Sequence, residues 1–262
     1  MSEEPVTVDA DRGPEHDPVR VERLSGPDEV AAVVADELVA RLRAVQKEGR
    51  VAVVVLTGGS ISRKVHAAVA NHPDCRQVDW NGVELWWGDE RFVAAGDPER
   101  NATQAWEDML DALPLDRARV HEVPAADKAA DVGTAAHQYA EDLEASFAGR
   151  LPSETWFDVL MLGIGPDGHC ASLFPGRDEV TEGGLALPVT GSPKPPPERV
   201  TMTMDVLGKA REVWFVATGE EKADAVARSV AGGDVHETPS AGPRGRGRTT
   251  WYVDEAAASQ LP

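Results

Sequence analysis

The chain has 262 residues, 42% of them hydrophobic, and a formal net charge of −19. That length accommodates one large domain or two small ones with a substantial core. The acidity argues against a general nucleic-acid binder, because affinity for a phosphate backbone needs surplus Lys and Arg, but it leaves room for a small anion held by a few converging cations.

Two cysteines, Cys75 and Cys170, are too few for a disulfide framework and suit a reducing compartment. No apolar run approaches the ~18 residues of a membrane span, and the acidic N-terminus lacks the basic and apolar regions of a signal peptide. A cytoplasmic location is therefore expected.

Residues 1–18 combine Pro5, Pro14 and Pro18 with acidic residues and almost no apolar periodicity, and read as a flexible acidic tail ahead of a single domain over 19–262. Helical spacing runs from about Asp28 to Gln46, with Ser25 or Asp28 as the capping residue. Val51–Leu56 is a β-branched run ended by Thr57-Gly58-Gly59-Ser60, and a helical pattern follows it. Further strands are expected at Val83–Trp87, Phe157–Leu162, Leu185–Val189, Val200–Met204, Val213–Thr218 and Thr250–Val253. Helical patterns lie at 102–112, 127–148 and 219–231. Continuous apolar strands alternating with amphipathic helices predict an α/β fold, a mostly parallel sheet with helices on both faces. In such folds ligands bind at the carboxyl ends of the strands, which directs attention to the loops 57–60, 88–91 and 163–169.

The third loop, Gly163-Ile164-Gly165-Pro166-Asp167-Gly168-His169, has the glycine spacing of a dinucleotide-binding fingerprint. That fingerprint needs a full helix after its third glycine and a strand ending in an acid about 20 residues on. Here Cys170–Phe174 allows barely one helical turn before Pro175-Gly176, and Pro166 restricts the turn further. The glycines are better explained as freeing the backbone to present Asp167 and His169 at a strand end. A capped turn with an exposed histidine is the structural alternative.

Thr57-Gly58-Gly59-Ser60 is a generic anion cradle at a helix start, although a plain turn capped by Ser60 reads the same way. It lacks the lysine and spacing of a nucleotide P-loop. Asp89-Glu90-Arg91 places two acids and an arginine at another strand end. There Arg91 serves either as a phosphate ligand or as a local ion-pair partner. The Pro-rich stretch 188–197 reads as an active-site loop and not as a hinge, and Lys194 and Arg199, flanking its prolines, read as a local anion site or as solvated surface. Cys170 beside His169 is no nucleophilic dyad, since adjacent side chains diverge, and the seven histidines lack metal-ligand spacing. The basic run at 243–248 reads as a flexible turn before the last strand. Most of the seven tryptophans read as packing residues.

Together, LTGGS (56–60), WWGDERFV (86–93), DPERNA (97–102), GIGPDGHCASLFPG (163–176), SPKPPPERVTMT (192–203) and WYVDEAAAS (251–259) resemble the 6-phosphogluconolactonase family, in family order and over most of the chain outside the tail. The resemblance implies a Rossmann-like fold shared with glucosamine-6-phosphate deaminase and ribose-phosphate isomerase, and no cofactor. It also implies hydrolysis of 6-phospho-D-glucono-1,5-lactone to 6-phosphogluconate in the oxidative pentose phosphate pathway. The partner implied is a small phosphosugar lactone. Charge argues against nucleic acid and the lack of a long apolar run against a membrane, while the sequence leaves the oligomeric state open and a monomer plausible. His169 is assigned as general base and then acid, since an imidazole ordinarily titrates near about pH 6.5. Asp167 orients His169 or binds sugar hydroxyls, and amides near Gly165–Gly168 are candidates for the oxyanion. Gly59, Ser60, Arg91, Lys194 and Arg199 are expected at the phosphate, with Asp89 fixing Arg91 or a substrate hydroxyl.

Two alternatives stand beside this reading. An amino-sugar phosphate deaminase shares the G-x-G-x-D-G-H loop but carries a glutamate where this chain has Phe174. A non-catalytic sugar-phosphate sensor would carry a DNA-binding helix-turn-helix, for which residues 1–27 are short and acidic. The departures from the lactonase pattern are Cys170 in place of threonine and the Pro239-Ser240-Ala241 region with its Arg/Gly-rich extension, which bear on the C-terminal loop.

Overall fold

The computed structural model describes residues 6–8, 19–151 and 154–262. Its strands are β1 (Val6–Val8), β2 (Val19–Leu24), β3 (Ala52–Leu56), β4 (Val83–Trp87), β5 (Asp89–Arg91), β6 (Phe157–Leu162), β7 (Ala186–Val189), β8 (Arg199–Met202), β9 (Ala210–Ala217) and β10 (Arg248–Asp254). Its helices are α1 (Pro27–Lys47), α2 (Ser60–Ala70), α3 (Asn101–Asp108), α4 (Val132–Phe147), α5 (Met204–Leu207) and α6 (Ala223–Ala231).

Seven strands form the main sheet in the order β1-β2-β10-β9-β6-β3-β4. All neighbours are parallel except β1, which pairs antiparallel with β2. Residues 6–8 of the segment read as a tail thus stand at the sheet edge; the rest of that segment lies outside the described residues.

Both faces of the sheet are covered, and each strand divides its residues between them with a period of two. In β3, Val54 and Leu56 pack under α1 and α2, while Val53 and Val55 pack on the opposite face with α4 and α6. In β9, Trp214 and Val216 take the first face, Val213 and Phe215 the second. This double burial explains why the central strands read as continuous apolar runs. No helix among the described residues is long and apolar enough to cross a membrane.

Several local expectations change. The cap of α1 is Gly26, with Pro27 opening the helix, and not Ser25 or Asp28. Ser25 instead bonds the Glu29 carboxylate through both its N–H (2.7 Å) and its hydroxyl (2.6 Å). Helix α4 starts at Val132 because Asp131 caps it, accepting from the Thr134 N–H at 2.6 Å. The strands β7 and β8 stand outside the main sheet, in an antiparallel three-stranded sheet ordered β5-β8-β7. No helix separates β7 from β8, so the pair closes as a hairpin-like unit and not as a parallel crossover.

Two features of this layout position the site. The order of strands reverses at β3, whose neighbours are β4 on one side and β6 on the other. That switch point opens a crevice at the carboxyl ends of β3 and β6, where the loops 57–60 and 163–169 begin. The small sheet is anchored over this end by Gly88, whose N–H bonds Leu56 O (3.1 Å) and whose carbonyl accepts from Met202 N (2.9 Å).

Candidate active site

The crevice holds a cavity of about 270 Å³. Its walls include Gly59, Ser60, Asp89, Arg91, His169, Lys194 and Arg199, seven of the eight residues singled out from the sequence. Asp167, the eighth, stands behind His169. The loops at β3 and β6 are tied directly, since Gly163 N–H donates to Thr57 Oγ1 at 3.3 Å.

The turn at the end of β6 is closed by two backbone bonds, Gly168 N–H to Gly165 O (2.9 Å) and Gly165 N–H to His169 O (3.0 Å). The Gly165 and Gly168 amides are thus used within the turn. The imidazole folds back over Gly165, where any Cβ would overlap the His169 ring and the Asp167 carboxylate. Gly168 takes φ +94°, a backbone conformation that L side chains rarely adopt and that brings residues 167 and 169 to the same side. His169 Nδ1 lies 2.6 Å from Asp167 Oδ1 as a result.

The one-turn helix expected over 170–174 does not form. Ala171 sits at φ +48°, and the segment closes as a turn through Leu173 N–H to Cys170 O at 3.0 Å. Helix-terminus amides therefore play no part next to His169. Cys170 is buried, and burial pushes its thiol pKa up, the opposite of what a nucleophile needs. Phe174 is buried too, with its ring centroid 4.6 Å from that of His169. The position that bears a glutamate in the deaminase pattern therefore supplies an apolar wall to the imidazole.

Burial alone would raise the pKa of Asp167. The hydrogen bond from His169 and the charges of His169 and Lys194 outweigh it and hold the carboxyl well below the usual range. With Asp167 ionised, the proton between the two groups belongs to Nδ1, which leaves Nε2 as the basic nitrogen. Lys194 Nζ lies 3.5 Å from His169 Nδ1 and 3.7 Å from Asp167 Oδ1. This lysine, expected with the phosphate ligands, is placed beside the histidine.

Asp89 does not fix Arg91. It is buried, accepts from the Ser172 hydroxyl at 2.6 Å and from Asn101 Nδ2 at 3.4 Å, and pairs with Arg199 Nη1 at 3.9 Å. Arg199, also buried, spends Nε and Nη2 on the carbonyls of Pro196 (3.2 Å), Lys194 (3.3 Å) and Pro195 (3.0 Å). It is first a brace for the proline-rich loop, and only Nη1 remains for the cavity side. Arg91 pairs with Arg199 across the β5–β8 register and donates Nη1 to Glu99 O at 2.5 Å. Its neighbour Glu90 is fully buried and accepts the amides of Arg91 (2.8 Å), Asn101 (2.7 Å) and Ala102 (2.8 Å), which seats the start of α3 against β5.

Two polar wall residues, Asn101 and Lys222, have no role assigned from the sequence. Asn101 contributes an amide that donates to Asp89 O at 2.9 Å. Lys222 enters from the β9–α6 loop; burial pushes its ammonium pKa down, partly offset by Glu221 and Asp254. Asp254 also fixes that loop, accepting from Gly219 N–H at 3.0 Å.

A family model described as glucosamine-6-phosphate isomerases/6-phosphogluconolactonase matches residues 25–251. The chain is 47% identical over 237 residues to a 6-phosphogluconolactonase of Streptomyces coelicolor, covering 89% of this chain and 91% of that one. It is 41% identical over 214 residues to a 6-phosphogluconolactonase of Mycobacterium leprae, covering 80% and 85%. Among solved structures, the 6-phosphogluconolactonase of Trypanosoma brucei superposes with a TM-score of 0.77 at 25% identity, covering 92% of this chain and 98% of that one.

Proposed function

The chain belongs to the glucosamine-6-phosphate isomerase/6-phosphogluconolactonase family, and from that premise we propose that it hydrolyses 6-phospho-D-glucono-1,5-lactone to 6-phospho-D-gluconate, in the cytoplasm and as a single catalytic domain. The observation that carries the chemistry is the 2.6 Å contact between His169 Nδ1 and Asp167 Oδ1 beside a cation-lined cavity. It leaves His169 Nε2 as a base at the strand end where ligands bind in this architecture.

In the proposed reaction Nε2 takes a proton from water as the water oxygen bonds to C1 of the lactone. The tetrahedral intermediate then expels the ring oxygen, and the imidazolium returns the proton to it. The released acid loses its own proton to solvent. Asp167 orients the ring and stabilises the imidazolium. With the Gly165 and Gly168 amides engaged, the Lys194 ammonium is the candidate for countering the negative charge that builds on the carbonyl oxygen.

At the other end, the Ser60 hydroxyl, the amides at the start of α2, Arg91 and Lys222 are assigned to the 6-phosphate. Asp89 and Nη1 of Arg199 are assigned to sugar hydroxyls. The buried Phe174 beside His169 favours lactone hydrolysis over amino-sugar deamination, because it supplies no carboxylate to an acid–base relay.

The test is acid release from freshly generated 6-phosphogluconolactone, followed against its spontaneous hydrolysis, in parallel with ammonia release from glucosamine 6-phosphate. Acceleration of the first reaction only is expected. Ammonia release, or no acceleration of either, would overturn the assignment.

A further inference from the structure

The loop that precedes β10 reaches back to the catalytic turn. Ser240, fully buried, donates both its N–H (3.0 Å) and its hydroxyl (2.8 Å) to the carbonyl of Gly168. That carbonyl belongs to the peptide joining Gly168 to His169. The N–H of the same peptide points the opposite way, to Asp167 Oδ1 at 3.4 Å. One peptide plane is therefore held between Ser240 on one side and the Asp167 carboxylate on the other.

The hold has a physical consequence. Gly168 has no side chain and sits at positive φ, so its peptide is free to rotate at small steric cost. Rotation would turn the His169 N–H away from Asp167 and swing the imidazole off its 2.6 Å contact. Donors on the carbonyl oppose that rotation. They also polarise the amide, strengthening the bond its N–H makes to the carboxylate. Behind Ser240 stands Ser229 of α6, equally buried, with its hydroxyl 2.6 Å from that of Ser240 and 2.6 Å from Ala225 O.

We propose that Ser240 is a positioning residue for the His169–Asp167 pair, acting through the Gly168–His169 peptide and touching no substrate. Its consequence for turnover rests on the lactonase reading above; its effect on the pair does not. The loop before β10, where Pro239-Ser240-Ala241 departs from the lactonase pattern, thereby gains a defined task.

The experiment uses the full chain with Ser240→Ala and Ser229→Ala. Ser240→Ala removes one of the two donors to Gly168 O, and Ser229→Ala leaves both. Expected for Ser240→Ala is a fall in kcat of about 10-fold with KM within 2-fold, the size of one lost hydrogen bond. The imidazole Nδ1–H proton resonance, downfield when bonded to a carboxylate, should broaden or move upfield. Ser229→Ala should keep both properties near wild type.

A merely structural role for Ser240 would lower Tm and leave the resonance and kcat of the folded protein unchanged, and that result overturns the proposal. Should Ser240→Ala fail to fold, Ser240→Cys, nearly isosteric with a weaker donor, carries the same readouts, and an unchanged resonance again sinks the idea. The resonance is read without substrate, so a wild-type protein lacking lactonase activity would refute the functional reading alone.

Discussion

His169 and Asp167 are two residues apart in sequence, yet Nδ1 of one meets Oδ1 of the other at 2.6 Å, with Lys194 Nζ 3.7 Å from the same oxygen. The contact fixes which imidazole nitrogen is basic. Asp167→Asn keeps the shape and removes the charge, so the ring loses its preference for the Nδ1–H tautomer. We expect kcat to fall by about 10²–10⁴-fold with KM changed only a few-fold, in line with losses from general acid–base groups and their orienting carboxylates. Steady-state kinetics on the phosphorylated lactone measure this, and an unchanged kcat removes Asp167 from the mechanism.

Gly165→Ala tests the same geometry from below. The added methyl falls on the His169 ring and the Asp167 carboxylate, both ends of side chains that can swing outward. Folding should survive, with Tm lowered by a few degrees, while kcat drops by at least ~10²-fold through loss of the pair's alignment. Equal activity in the folded variant would mean that the ring does not work from the position it occupies here.

The phosphate assignment separates from the chemistry by comparing lactones with and without the 6-phosphate. Arg91→Ala and Lys222→Met should each reduce kcat/KM for the phosphorylated lactone by about 10–150-fold, the loss of ~1.5–3 kcal/mol for a hydrogen bond to a charged group. Hydrolysis of unphosphorylated gluconolactone should stay within 2-fold of wild type. A variant that slows both substrates alike would place its residue at the reacting end.

How legible this site was follows from burial and backbone conformation. β3, β4 and β6 were readable to within a residue because a strand covered on both faces is written as a continuous apolar run. The strand β5 was not, since Asp89-Glu90-Arg91 contains no apolar residue and pairs only through β8. The His169–Asp167 contact depends on the positive φ of Gly168, and the loss of the short helix on the φ of Ala171, neither of which a residue type dictates. Lys222 had a usable signal: Thr218-Gly219 follows the buried strand β9 and precedes a helix, the pattern that singled out Thr57–Ser60. Four strand-end loops, 57–60, 88–91, 163–169 and the one after β9, therefore satisfy the rule that ligands bind at carboxyl ends of strands.

His66 gives a pH dependence of stability unrelated to catalysis. It is buried in α2 beneath the 57–60 loop, 3.5 Å from Ser62 Oγ, and its Nδ1 has no hydrogen-bond partner among the described residues. Burial lowers its pKa to about 4, from an unfolded value near 6.5. Between those values the unfolded chain binds the extra proton and the folded chain does not, so this contribution to stability falls as pH falls. It is nearly complete at pH 7, and about 2 kcal/mol of it is lost by pH 5. Urea unfolding of wild type and His66→Leu at the two pH values measures the difference. The wild type should lose about 2 kcal/mol more than the variant on acidification; parallel losses would show that His66 binds its proton equally in the folded and unfolded chains.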